Sequence, residues 1–126
     1  MSQKVTPPIF VLYDNGGVAA FRDAVQALRK VAPADYEDIT GAWDSRGLRL
    51  TFVLHDRRRY LAGDPHEAPG WHELRDALMG RLRADGDNDL DRVDDELLLI
   101  RAYERFRLKG VMEMVADAFS RGGFSP

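Results

Sequence analysis

Apolar positions recur with two different periods along this chain, and the switches between them predict its elements. Over residues 48–59 (LRLTFVLHDRRR) the period is two. Leu48, Leu50, Phe52 and Leu54 share one face, and Arg49, Thr51, Val53, His55 and Arg57 share the other, as a half-buried strand requires. Residues 9–13 (IFVLY) form a short continuous apolar run, suited to a strand buried on both faces. Residues 39–43 form a third strand. The Asp44-Ser45-Arg46-Gly47 stretch after it has turn chemistry, with Asp first and Gly last, so 39–58 reads as a β-hairpin.

Elsewhere the period is helical. Val18, Phe21, Val25 and Leu28 predict an amphipathic helix over 17–31, with Asp14 or Asn15 capping its start and Arg29 and Lys30 at its C-terminal end. Trp71, Leu74, Leu78 and Leu82 predict a second helix over 71–83. Leu99, Ile100, Tyr103 and Phe106 predict a third, from 92–94 to about 109, with Asp94, Asp95 and Glu96 in its first turn. Val111, Met114, Val115, Ala118 and Phe119 suit a further short helix, and 60–70, with two prolines and two glycines, reads as a loop. The expected order is β-α-β-β-α-α. The fold class is α+β, a two-layer domain over 1–126 in which a small antiparallel sheet (hairpin 39–58 plus strand 9–13) is covered by three or four helices. Residues 1–8 and 120–126 are expected to be flexible ends.

Composition narrows the function classes. The 126 residues are 44% hydrophobic, enough for a core without staples, and contain no cysteine, which excludes disulfides, thiol catalysis and thiolate metal sites. The N-terminus lacks the apolar run of a signal peptide and no stretch approaches a membrane span, so a cytoplasmic protein is expected. Net charge is −3, which argues against a general nucleic-acid binder, but the charges are segregated. Residues 85–96 hold seven acids (Asp85, Asp87, Asp89, Asp91, Asp94, Asp95, Glu96) against Arg92, whereas residues 46–59 hold five arginines against Asp56.

Candidate chemistry sits on these segregated stretches. Residues 85–96 (DGDNDLDRVDDE) place oxygen side chains at positions 1, 3, 5 and 12 and so resemble an EF-hand calcium loop. They depart from it at Leu90, where the turn requires glycine, and at Arg92, where an apolar residue belongs. A solvated acidic linker whose last acids cap a helix is the simpler account, and no metal is assigned. The same carboxylates also suit a surface for a basic protein. His55, His66 and His72 match no ligand spacing, and His55 lies on a polar strand face, so no catalytic residue is assigned. Asp14-Asn15-Gly16-Gly17 lacks both phosphate-loop patterns and reads as a glycine turn. Arg49, Arg57, Arg58 and Arg59 suit phosphate, or discourage edge-to-edge strand pairing; Trp43, Trp71 and the tyrosines read as core or core margin.

The expected function is therefore a non-catalytic protein-binding module without a cofactor. A bacterial inhibitor or immunity-type protein that docks on a basic partner through Asp85, Asp87, Asp89, Asp91, Asp94, Asp95 and Glu96 fits this pattern. Two alternatives stand beside it: a nucleic-acid or phosphate binder using the arginine-rich hairpin, and a small enzyme using His55, Asp56 and the 64–73 loop. A homodimer is compatible with each, and a membrane partner with none.

Overall fold

The structure, a computed structural model, describes residues 5–63 and 70–107. It begins with an antiparallel hairpin. Strand β1 (Ile9–Tyr13) turns back into β2 (Val18–Phe21), with Ile9 opposite Phe21 and Leu12 opposite Val18. The turn is closed by Tyr13 N–H donating to Gly17 O at 2.9 Å and Gly17 N–H donating to Asn15 Oδ1 at 2.8 Å, while Gly16 takes the left-handed φ of +84°. This corrects the helix expected over 17–31. Its first residues are strand, and α1 is only Ala24–Lys30, capped by Asp23, whose Oδ1 accepts the Gln26 N–H at 2.8 Å. Val18 and Phe21 fit helical spacing by coincidence; the Asn15-Gly16 turn delivers them to β1 first.

A 3₁₀ turn (Pro33–Asp38) leads into β3 (Ile39–Trp43), which pairs antiparallel with the other side of β1, giving the sheet order β2-β1-β3. The chain then makes the expected turn at Asp44–Gly47, but not the expected hairpin. Only one bridge, Trp43 to Arg49, joins β3 to β4 (Leu50–His55). Instead β4 pairs over its whole length with β5 (Arg58–Gly63), part of which was expected to be loop, to make a separate two-stranded ribbon. The ribbon turns at Asp56 (φ +49°) and Arg57 (φ +65°), two consecutive left-handed residues as in a type I′ turn, without the usual glycine.

The turn at 44–47 diverges because Asp44 ties it elsewhere. Its side chain is 1% exposed. Oδ1 accepts the N–H groups of Arg46 and Leu48, and Oδ2 that of Thr6, each at 2.9 Å. Ser45 N–H and Oγ both donate to Thr6 O at 3.0 Å. Gly47, at φ +85°, packs so closely on Trp71 that a Cβ there would stand 2.6 Å from the Trp71 Cα. Gly70 N–H donates to Gly47 O at 2.7 Å, so the same knot positions the start of α2 (Trp71–Ala84).

Helix α2 ends in a Schellman motif at Gly86 (φ +97°), with Asp87 N–H reaching Leu82 O and Gly86 N–H reaching Arg83 O, both at 3.0 Å. A short 3₁₀ turn (Leu90–Arg92) precedes α3 (Asp95–Phe106). The class is α+β: among the described residues, two small antiparallel sheets and three α-helices. Both faces of β2-β1-β3 are buried. Phe10, Ala20 and Trp43 pack under α2 and α3, whereas Ile9, Val11, Phe21 and Ala42 pack against Ala27 and Val31, at α1 and its C-terminal cap, and against Leu50 and Phe52 of the ribbon. The helix expected over 111–119 lies outside the described residues.

Candidate functional site

Helix α3 turns inward the expected Leu99, Tyr103 and Phe106 but centres its buried stripe on Leu98 and Ala102 in place of Ile100. Leu98 and Ala102 are buried, with Leu99, Tyr103 and Phe106 packed at the margin; Ile100, expected in the core stripe, is 53% exposed. Leu97 is 44% exposed. Along the outer side the helix therefore presents Glu96, Leu97, Ile100 and Glu104, spaced so that they share one face. Beside them lies a groove of about 440 Å³ lined by Pro7, Pro8, Arg22, Leu99, Ile100, Tyr103 and Glu104. Arg22 is taken up by Asp23 at 3.3 Å, and among the described residues Glu96 and Glu104 have no ion-pair partner.

The rest of the acidic stretch is mostly engaged within the chain. Asp85 bridges Arg81 (3.3 Å) and Arg105 (3.4 Å), Asp87 meets Arg101 at 3.1 Å, Asp91 meets Arg83 at 3.3 Å and Asp95 meets Arg75 at 3.5 Å. Asp94 caps α3, its Oδ1 accepting the Leu97 N–H at 2.8 Å. Asp85–Arg105 and Asp87–Arg101 clamp the end of α2 to α3, Arg75–Asp95 joins the two helices nearer the start of α2, and each pair contributes about 0–1 kcal/mol at such exposure. Of the seven acids only Asp89 and Glu96 are left without a charged or capping partner among the described residues. Leu90, the departure from the calcium-loop pattern, is buried in the core and anchors the segment there. No group of three or more His, Asp or Glu side chains among the described residues is arranged to hold a metal.

The basic candidates separate. Arg49 donates to Glu73 Oε2 at 3.0 Å and to Thr40 O at 2.9 Å, with its guanidinium 5.2 Å from the Trp43 ring centre. Arg59 donates to Leu28 O at 3.4 Å, tying the ribbon to α1. Arg57 and Arg58 stay at the exposed ribbon tip with His55, which lies 3.4 Å from Asp56. Tyr60 is not core margin but 45% exposed, on the outer face of the ribbon.

The histidines do not form one site among the described residues. His55 is at the ribbon tip, and His72 follows Trp71 at the base, where Trp71 meets Gly47; the length of β4, roughly 17 Å, lies between. His66 and most of the 64–73 loop lie outside the described residues. Burial, and then the Asp35 carboxylate, push the Tyr13 phenol up, and the Gln26 N–H, with Arg22 beside it, holds the Asp23 carboxyl below its usual range. Neither group lies in a cluster of catalytic type.

The exposed Leu97–Ile100–Glu104 stripe was hidden from the sequence because Leu97 to Ile100 are four consecutive apolar residues, of which a helix can bury only some. Comparison with family models, with curated proteins and with solved structures finds no match for this chain.

Proposed function

We propose that this protein is a non-catalytic binding module that docks on a basic protein through the outer side of α3, in the manner of an inhibitor. The observation that carries the reading is the apolar groove of Leu99, Ile100 and Tyr103, bordered by Glu104 and continued by Leu97 and Glu96. A helix face with exposed aliphatic side chains, and with carboxylates that have no ion-pair partner among the described residues, suits a partner segment that is apolar at its centre and cationic at its rim. The acidic surface in this reading is narrower than residues 85–96, and lies one to two turns further along the chain.

The test compares the protein with an Ile100→Lys/Glu104→Lys variant, both immobilised, as bait for native lysate at low salt. The expected outcome is a basic protein retained by the parent chain, released as salt rises, and lost from the variant while its circular dichroism is unchanged. Retention of the same proteins by both baits sinks the reading. So does a dimer of this chain in light scattering that the variant abolishes, since the face then belongs to a second copy.

A further inference from the structure

The β4–β5 ribbon carries a surface that the α3 groove does not use. Its register puts Leu50, Phe52, Leu61 and Arg59 on the inner side, and Val53, His55, Arg58 and Tyr60 on the outer side. On that outer face Tyr60 stands opposite Val53, and Arg58 stands opposite His55 at the tip. Arg58 and Tyr60 are two residues apart on one strand, so they project side by side roughly 6.6 Å apart. Of the four candidate arginines, Arg49 and Arg59 are spent on Glu73 and on the α1 carbonyl, and Arg57 and Arg58 have no ion-pair partner among the described residues.

The turn adds an independent observation. Arg57 holds φ +65° at the second central position of a two-residue hairpin turn, where glycine is free of strain and Asp-Gly is the favoured pair. A position at which glycine would serve the turn better carries a long cation instead, and strained backbone of this kind gathers at binding sites.

We propose that the outer face of the ribbon binds single-stranded nucleic acid, with Tyr60 stacking on a base and Arg57 and Arg58 meeting the phosphates on either side of it. An exposed aromatic ring next to two guanidinium groups that have no ion-pair partner among the described residues, on one face of a two-stranded ribbon, offers both contacts that such strands need, a stacking surface and charges along the backbone. Binding that depends on charge alone would not need the Tyr60 ring, whereas a base stacks on its face. The net charge of −3 makes the affinity modest and confines it to this tip.

The test is fluorescence anisotropy of a labelled oligothymidylate titrated with the full chain between about 20 and 200 mM salt. Two or three phosphate contacts predict an affinity loss of about 25- to 125-fold over that tenfold range. Arg57→Gly should flatten the log–log salt slope by about 0.7 without lowering the melting temperature, because glycine suits the turn. Tyr60→Ala should weaken binding by at least about fivefold at an unchanged slope. The proposal is overturned by no binding at the lowest salt, by binding that both variants leave unchanged, or by polyglutamate competing as well as unlabelled oligonucleotide. A shallower slope in Arg57→Gly with Tyr60→Ala silent would also overturn it, since charge alone would then account for the binding.

Discussion

Replacing Asp44 by alanine tests the knot on which the layout depends. The side chain is buried and accepts three backbone N–H groups, from Thr6, Arg46 and Leu48. Removing it leaves those donors without an acceptor in a poorly hydrated turn, at about 1–3 kcal/mol for each that stays buried. The three hydrogen bonds are only partly buried, so the lower end applies to each, about 3 kcal/mol in all. That is a large share of the ~5–15 kcal/mol that keeps such a domain folded. With ~2.1 cal/mol/K of unfolding entropy per residue, it corresponds to a fall in Tm of roughly 10 °C. Asp44→Asn supplies the graded control: its Oδ1 can still serve Arg46 and Leu48, while its amide opposes the Thr6 N–H, a loss of about 1–2 kcal/mol. Urea unfolding followed by circular dichroism and by tryptophan fluorescence measures both, since Trp43 adjoins the knot. The reasoning fails if Asp44→Ala costs under about 1 kcal/mol, or if asparagine is as damaging as alanine.

Two further substitutions probe other links. Gly47→Ala adds a Cβ 2.6 Å from the Trp71 backbone at φ +85°, whereas Gly86→Ala faces open space at φ +97°. The first should cost at least about 2 kcal/mol and the second about 1, and equal losses in urea unfolding would show that backbone strain alone decides both. Asp23, with its carboxyl held below the usual range, stabilises the fold fully above that range and loses the contribution as pH falls through it. The stability difference between the parent chain and Asp23→Asn should therefore stay constant near neutrality and change only below about pH 4; a difference independent of pH would refute the assignment.

The strands with one dominant pattern were legible from the residues. Residues 9–13, 39–43 and the alternation from 50 to 55 all form strands, and Trp71, Leu74, Leu78 and Leu82 belong to one helix as their spacing requires. Two strands were masked for different reasons. In β2, Val18 and Phe21 satisfy both periods, and only the partner strand decides between them. In β5, Arg58 and Arg59 hide the alternation, and the turn before it lacks the glycine that marks such hairpins. The acidic stretch illustrates a harder limit. Asp85 and Arg105 are 20 residues apart, and Asp87 and Arg101 are 14 apart, so their pairing depends on how α2 and α3 cross, which no local pattern encodes. The outward position of Ile100 has the same origin.

The two apolar clusters are drawn from different lengths of chain, and this has a consequence for the order in which the protein is made. Among the described residues, every member of the cluster between the sheet and the ribbon, from Val5 to Leu61, belongs to the first half of the sequence. That half can close as it emerges during synthesis, with all five strands and the Asp44 knot in place. The other cluster takes Phe10, Ala20 and Trp43 from the sheet but needs Leu74, Leu78, Leu82, Leu90 and Leu98 to cover them. Until α2 and α3 have been synthesised, the nascent sheet offers a bare apolar face, a surface on which chaperones and neighbouring chains compete with the protein's own helices.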